Sequence, residues 1–271
     1  FVESLAFQPK GESEQQFFML LTAYARISKL QYLTNSDVEL SPKIEVAMRE
    51  ALAQLQEQKP VQQILGFTQF CGLKLRVNSS VLIPRPETEE LIGLINKAYP
   101  IINRAIDIGT GSGCLALALA AQQSQAKIYA TDVGQPALKL AQQNAIDTKL
   151  AIEFIENDIL MNSALLPLNL DLVVSNPPYI RQSEKDEMSP NVLQYEPHLA
   201  LFVSNQDPLL FYRVISEYAF RALKPGGVLA FEINQYLAPQ TKALVEGFGF
   251  KAEVHEDSFG NKRFIMALKP A

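Results

Sequence analysis

The tetrapeptide Asn176-Pro177-Pro178-Tyr179 is the segment whose residue types most clearly indicate chemistry. Two consecutive prolines fix an extended backbone and remove two N–H donors. The side-chain oxygen of Asn176 and the main-chain carbonyl of Pro177 can then both accept hydrogen bonds from one NH₂ group. Tyr179 adds a flat aromatic face. The segment therefore predicts a site for a planar, uncharged group with two N–H bonds: an amide, or the exocyclic amine of adenine or cytosine.

A glycine-rich segment follows the predicted strand Arg104–Ile108 and precedes a helix rich in alanine and leucine. Its glycines let the backbone turn tightly and approach a ligand closely. The dinucleotide fingerprint G-x-G-x-x-G would need its third glycine at position 114, which is Cys114. A glycine turn without a ligand is the alternative, and an acid just before the turn makes a cofactor site the favoured interpretation. The cofactor residues predicted here are Asp107, Gly109, Thr110, Gly111, Ser112 and Gly113.

Two acidic residues follow the next two predicted strands. Asp132 ends the first of them, where a carboxylate can accept hydrogen bonds from both hydroxyls of a ribose. Taken alone, Asp132 could equally cap the helix that begins near Pro136. Asp158 and Ile159 follow the second strand. An aspartate in such a loop is often only solvated or capping, so this pair is the less specific signal.

Three segments together resemble the HemK/PrmC family of release factor glutamine methyltransferases. They are the glycine loop, the extension of the first motif to Ile180, and Ile83–Glu89, which reads IPRPETE. Glu196-Pro197 and a closing Asp257…Gly260…Arg263 also fit. The asparagine-proline motif alone is shared with DNA adenine methyltransferases, and the segment Ile83–Glu89 narrows the resemblance to glutamine methyltransferases.

The resemblance implies a class I S-adenosylmethionine-dependent methyltransferase, with S-adenosylhomocysteine as its product. It implies methyl transfer to the glutamine of the Gly-Gly-Gln motif of class I peptide-chain release factors, which act in translation termination. Asp158 would accept a hydrogen bond from the adenine amine, Ile159 would pack on the ring, and Asn176 would also border the cofactor. Asn176, Pro177 and Tyr179 would be catalytic. The predicted substrate-binding residues are Arg85, Glu87, Asn176, Pro177, Pro178 and Tyr179.

Two positions after the predicted strand Val228–Ile233 depart from the pattern of the family. Asn234 stands where glycine is usual, and Leu237 stands where glutamine is common. We therefore expect the loop after this strand to differ from other members in its fine geometry.

Predicted strands and helices alternate from residue 104 onward. Such alternation is typical of a Rossmann-like α/β fold with a mainly parallel sheet, here of seven strands, and it places ligands outside the carboxyl ends of the strands. The predicted strands are Arg104–Ile108, Lys127–Thr131, Ile152–Ile155, Leu170–Ser175 and Val228–Ile233, with a last pair near Phe250–Val254 and Phe264–Leu268.

The first third of the chain predicts a small α-helical bundle. Ser13 and Gln16 have the spacing of a capping box, and Ser41-Pro42 is an N-cap followed by proline at the first helical position. Apolar and polar residues alternate over Gly66–Val77 on both sides of Cys71-Gly72, and this pattern predicts a β-hairpin. The predicted divisions are a helical substrate-docking domain over 1–65, a hairpin linker over 66–84 and a methyltransferase domain over 85–271.

Composition narrows the partners. The chain has 271 residues, a formal net charge of −5 and a pI of about 5.2, so it carries no overall electrostatic footprint for nucleic acid. No apolar run reaches the ~20 residues that span a bilayer. Two cysteines and two histidines favour neither a disulfide framework nor a metal site. We expect a cytoplasmic monomer that needs no metal and binds neither membrane nor nucleic acid.

Three alternatives to a methyltransferase that acts on release factors remain at this stage. A methyltransferase acting on ribosomal-protein glutamine looks similar through its core and usually departs at the positions of Pro86–Glu89. A methyltransferase acting on the exocyclic amine of adenine in nucleic acid would need a basic cleft and a target-recognition domain. A scaffold that binds cofactor without turnover would not need an intact asparagine-proline motif.

Overall fold

The computed structural model describes residues 1–5, 7–35 and 39–271. Its helices are α1 (Lys10–Ala25), α2 (Lys29–Thr34), α3 (Pro42–Gln56), α4 (Val61–Leu65), α5 (Pro86–Ala98), α6 (Cys114–Gln122), α7 (Gln135–Thr148), α8 (Pro190–Tyr195), α9 (Leu210–Ala222) and α10 (Ala238–Gly247). Its strands are β1 (Phe67–Phe70), β2 (Leu73–Arg76), β3 (Arg104–Ile108), β4 (Lys127–Asp132), β5 (Ile152–Glu156), β6 (Leu170–Ser175), β7 (Ile180–Arg181), β8 (Phe202–Val203), β9 (Leu223–Glu232), β10 (Lys251–Glu256) and β11 (Lys262–Leu268).

The chain forms two compact units. One contains Phe1–Phe67 together with Ser189–Tyr195, and the other contains Thr68–Met188 and Glu196–Ala271. Strand β2 and all of β1 except Phe67 are therefore part of the larger unit, and helix α8 belongs with the N-terminal helices. No helix within the described ranges is both long and apolar enough to cross a membrane.

The smaller unit has a core of its own, made by α1, α3 and α4. Helix α3 begins where the sequence predicted, with Ser41 as N-cap and Pro42 at its first position. The prediction for α1 was wrong, because the helix begins at Lys10 after Pro9 and Ser13 is buried inside it. The core residues are Leu5, Leu20, Met48, Ala51, Leu55 and Val61. Outside this core, α2 buries none of its residues.

The larger unit is built on a seven-stranded sheet in the order β10-β11-β9-β6-β3-β4-β5. Strands β5, β4, β3, β6 and β9 are parallel to one another, and β11 is antiparallel to both β9 and β10. The mainly parallel α/β class is thereby confirmed. Predicted and observed strands agree closely, except that β9 begins five residues before the predicted Val228.

Apolar layers cover both faces of this sheet, because successive residues of a strand point to opposite faces. Ala105 packs in a cluster with residues of α5 and α6, whereas its neighbour Ile106 packs in a cluster with residues of α9 and α10. Continuous apolar strands are the expected consequence. This burial leaves the strand ends as the place for polar chemistry.

The functional edge lies where the chain direction across the sheet reverses. From β3 the chain proceeds outward to β4 and β5, then returns to β6 on the other side of β3. Ligands of open α/β sheets bind at such a switch point, outside the carboxyl ends of the strands. The hydroxyl of Ser175 at the end of β6 donates to the carbonyl of Ile108 at the end of β3, at 2.6 Å. The glycine loop and the asparagine-proline motif are therefore held side by side.

Candidate active site

A cavity of about 260 Å³ opens at this edge of the sheet. It brings together most of the residues that the sequence predicted. Four of the predicted residues do not line it: Asp107, Gly113, Tyr179 and Glu87. The predicted residues on its wall are Arg85, Gly109, Thr110, Gly111, Ser112, Asp132, Asp158, Ile159, Asn176, Pro177 and Pro178.

The three glycines of the loop have different functions. All have positive φ, at 73° for Gly109, 54° for Gly111 and 84° for Gly113. A Cβ on Gly109 or Gly111 would meet no protein atom within 4 Å, whereas a Cβ on Gly113 would lie 3.2 Å from Ala141 Cβ and from Leu117 Cδ1. The first two glycines therefore keep space open beside the backbone, and the third permits close packing of α6 and α7.

Asp132 both shapes the loop and faces the cavity. One carboxylate oxygen accepts from the N–H of Gly111 at 2.9 Å, and the other accepts from the N–H of Gly134 at 2.8 Å. Gly134 is the N-cap of α7, so Asp132 bonds to the residue before the helix and is not its N-cap. Each oxygen keeps a second lone pair. Asp132 can therefore still accept hydrogen bonds from a ligand.

Asp107 lies behind the loop and is fully buried. One oxygen accepts from the hydroxyl of Thr110 at 2.6 Å and from the N–H of Ala116 at 3.3 Å. The other oxygen has no partner within the described residues. Burial raises the pKa of the Asp107 carboxyl to about 7, against the lowering effect of these hydrogen bonds. A cationic ligand at the loop would favour its ionised form.

The cavity wall fits the cofactor that the resemblance implies. Three residues of the wall each have a buried side-chain oxygen that lacks a hydrogen-bond partner among the described residues: Ser112 Oγ, Thr131 Oγ1 and Asn157 Oδ1. Buried polar groups are normally paired, so unpaired ones grouped around one cavity indicate a polar ligand. With the open space beside Gly109 and Gly111, they match a nucleoside that carries an amino-acid chain.

The acceptor motif is held by a hydrogen-bond relay that the sequence did not predict. The Asn176 amide nitrogen donates to Thr88 Oγ1 at 3.3 Å, and the Thr88 hydroxyl donates to Glu232 Oε2 at 2.6 Å. The Tyr179 hydroxyl donates to Glu232 Oε1 at 3.1 Å. Burial raises the pKa of Glu232, while its two hydrogen bonds and the charge of Arg263 oppose that rise. A carboxylate within the apolar end of β9 was the only sequence signal for Glu232.

Asn234, the position that departs from the family pattern, fixes the backbone after the motif. Its amide nitrogen donates to the Tyr179 carbonyl and to Glu184 Oε2, both at 3.1 Å, and its amide oxygen accepts from the Tyr236 N–H at 2.9 Å. Its φ is −66°, so no glycine is required there. The other departure, Leu237, is buried and packs as an apolar residue.

Arg85 holds the proline segment in place. Its guanidinium pairs with Glu196 Oε1 at 2.5 Å, and Glu196 Oε2 accepts from the Ile83 N–H at 3.0 Å. The Glu196 side chain is nearly fully buried, so this pair joins two segments of the cavity wall. Glu87 is partly exposed in the first turn of α5. In the described ranges, no group of three His, Cys, Asp or Glu side chains is arranged to hold a metal ion.

Comparisons with known proteins agree with this geometry. Residues 4–66 match the family model described as the PrmC N-terminal domain, and residues 87–195 match the methyltransferase small domain. A release factor glutamine methyltransferase of Flavobacterium psychrophilum is 46% identical over 273 residues, covering 98% of this chain and 95% of that protein. One of Bacteroides thetaiotaomicron is 40% identical and covers 89% and 87%.

Solved structures share the fold at lower identity. A methyltransferase from Pyrococcus furiosus superposes with a TM-score of 0.55 at 19% identity, covering 74% of this chain and 90% of its own. A T. thermophilus 16S rRNA methyltransferase, in complex with AdoMet and guanosine, superposes with a TM-score of 0.53 at 18% identity. That match covers 75% of this chain and 49% of the other. Both support the class I methyltransferase fold.

Proposed function

Because the chain belongs to the family of release factor glutamine methyltransferases, we propose that it methylates the side-chain amide nitrogen of the glutamine in the Gly-Gly-Gln motif of a class I peptide-chain release factor. It is a methyltransferase whose cofactor is S-adenosylmethionine. One observation carries the proposal: the glycine loop and Asn176-Pro177 line the same cavity. A methyl donor and a planar nitrogen acceptor can therefore meet there.

The chain's contribution to the reaction is alignment and charge stabilisation. S-adenosylmethionine, when bound, supplies an electrophilic sulfonium methyl group. An amide nitrogen is a weak nucleophile because its lone pair is delocalised into the carbonyl, so orientation for in-line displacement matters most. Asn176 Oδ1 and the Pro177 carbonyl accept hydrogen bonds from the two N–H groups of the acceptor amide, and they favour the positive charge that grows on its nitrogen.

No strong base is required, because a protonated N-methyl amide is acidic and loses its proton readily. Tyr179 is assigned to the acceptor side, where its ring offers a flat face to the amide. Its hydroxyl is already engaged with Glu232 at 3.1 Å, and burial together with the Glu232 charge raises its pKa. We therefore assign Tyr179 to positioning and not to proton transfer.

The test is mass spectrometry of candidate acceptors after incubation with enzyme and S-adenosylmethionine. We expect one methyl group on the glutamine of the Gly-Gly-Gln motif in the intact release factor. A release factor with alanine in place of that glutamine is the matched control and should remain unmodified. Methyl transfer to an adenine-containing duplex, with none to the release factor, would refute the proposed function.

We further propose that the N-terminal helices dock the release factor away from the glutamine. Helix α2 presents Leu30 and Leu33, which are 72% and 65% exposed and lie three residues apart on one helical face. Binding energy from a remote surface can position a poor nucleophile and so raise the rate. Exposed leucines on a helix that buries none of its residues are suited to a protein partner.

Replacing both leucines tests this docking surface. We expect Leu30→Ser with Leu33→Ser to lower kcat/KM for the intact factor while a short Gly-Gly-Gln peptide is methylated as slowly as before. Ile101→Ser, at a residue 78% exposed on the larger unit, is the control. An unchanged ratio of the two efficiencies, factor over peptide, would show that these leucines have no part in docking.

A further inference from the structure

The buried carboxylate of Glu232 is hydrogen-bonded to two side chains of the acceptor motif, to Tyr179 directly and to Asn176 through Thr88. Resting on the proposed function, we propose that Glu232, acting through Thr88, is a positioning residue that fixes which end of the Asn176 amide faces the acceptor glutamine. Thr88 and Glu232 lie 144 residues apart in the chain. Both residues lie outside the asparagine-proline motif Asn176–Tyr179.

The two ends of an asparagine amide are alike in shape and opposite in hydrogen bonding. The oxygen end accepts, and the nitrogen end donates two hydrogens. An acceptor glutamine also brings an NH₂ group, so only the oxygen end of Asn176 can hold it. With the ends exchanged, two NH₂ groups would face each other. Catalysis therefore depends on the rotational state of one amide.

Thr88 decides that state because a hydroxyl has a single hydrogen. The Thr88 hydroxyl donates to Glu232 Oε2 at 2.6 Å. While Glu232 is ionised, its carboxylate only accepts, so the single hydroxyl hydrogen of Thr88 points to Glu232. Thr88 can then only accept from Asn176, and it does so from Nδ2 at 3.3 Å. The Asn176 oxygen is left for the acceptor.

Glu232 is poorly explained as a stabilising residue. It is 2% exposed, and no ion pair to it is found among the described residues, since the Arg263 guanidinium bonds to Asp257 at 3.3 Å. A buried carboxylate without a direct cationic partner is costly. A glutamine would avoid burying a charge and would still provide one acceptor oxygen. What the carboxylate provides is two acceptor oxygens of fixed polarity, one for Thr88 and one for Tyr179.

The test compares variants that keep shape and change hydrogen bonding. Thr88→Val removes the hydroxyl at nearly equal volume, and Thr88→Ser retains it. Thr241→Val is the matched control, because Thr241 is also buried and its hydroxyl donates to the Leu237 carbonyl at 2.9 Å, apart from the relay. We expect kcat of Thr88→Val to fall roughly tenfold, the equivalent of about 1.4 kcal/mol. KM for the factor and Kd for S-adenosylmethionine should stay within about threefold.

The serine variant should recover most of the lost turnover, and the Thr241→Val variant should keep it. A Thr88→Val enzyme with full kcat would overturn the proposal. So would a parallel rise of the Kd for S-adenosylmethionine, which would place the Thr88 hydroxyl on the cofactor. Failure of the parent enzyme to methylate the release factor would instead refute the proposed function, so the two failures are distinguishable.

Glu232→Gln gives an independent test. Its amide can accept from Thr88 or from Tyr179 but not from both, so kcat should again fall roughly tenfold. The unfolding temperature should change by no more than a few degrees, because removal of the buried charge offsets the loss of one hydrogen bond. With Thr88→Val added, the loss should not multiply, since both changes break one relay. A larger fall of the unfolding temperature together with multiplying losses in kcat would show a structural residue and overturn the proposal.

Discussion

Replacement of Asn176 by alanine separates the acceptor site from the cofactor site. The change removes one acceptor of the substrate N–H and leaves Gly109–Gly113 and Asp132 intact. Loss of a preorganised hydrogen-bonding group at the reacting centre typically lowers the rate ~10²- to 10³-fold, or about 2.7–4 kcal/mol. The fold loses one 3.3 Å hydrogen bond to Thr88, which is worth about 1 kcal/mol and a few degrees of unfolding temperature. Activity should therefore fall far more than stability.

The assay is single-turnover transfer of a labelled methyl group to the release factor, with calorimetry for S-adenosylmethionine. Asn96→Ala is the control, because Asn96 is half-buried on α5 and its amide donates to the Ile92 carbonyl at 2.9 Å. We expect the control to keep its activity and both variants to bind cofactor. Full turnover by Asn176→Ala would mean that the acceptor nitrogen is held elsewhere. A rate loss matched by an equal loss of cofactor affinity would assign Asn176 to the cofactor alone.

Two further predictions concern the glycine loop. Gly111→Ala should weaken S-adenosylmethionine binding more than folding, because its Cβ meets no protein atom and enters the open space proposed for the cofactor. Gly113→Ala should destabilise the fold more, because its Cβ lies 3.2 Å from Ala141. Calorimetry and thermal unfolding that give the reverse ranking would contradict this. Asp107 has a folded-state pKa of about 7, above that of the unfolded chain, so the cofactor-free protein should lose stability as pH rises from about 4 to 7. Asp107→Asn should remove that part of the slope, and an unchanged slope in thermal unfolding would refute the assignment.

The central strands of the sheet were predictable because they are buried on both faces and read as nearly continuous apolar runs. The strands predicted at Arg104–Ile108 and Leu170–Ser175 begin and end at the same residues in the structure. Local patterns at helix ends were less reliable. The spacing of Ser13 and Gln16 suits a capping box wherever it falls within a helix, and Pro9 actually marks the start.

The relay behind the acceptor motif could not be predicted in the same way. It joins α5, the end of β6 and the end of β9, which only the sheet order brings together. The segment Ile83–Glu89 directed attention to Arg85 and Glu87, yet Thr88 is its member that contacts Asn176. Helix α8 grouped with the N-terminal unit for a similar reason: Tyr195 donates to the Glu57 carbonyl at 2.9 Å, across 138 residues. Contacts of this kind have no local signature.

A charged group behind a neutral acceptor has a further consequence for the reaction. Hydrogen bonds in a chain polarise one another, so the Glu232 carboxylate strengthens the Thr88 oxygen as an acceptor, and Thr88 in turn polarises the Asn176 amide. Asn176 Oδ1 then carries more negative charge toward a nitrogen that becomes positive as the methyl group arrives. A carboxylate placed directly at the acceptor would supply more charge, but it would also attract amines and other cations. Setting the charge two hydrogen bonds away keeps the site selective for a neutral amide while it still favours the charge that forms during transfer.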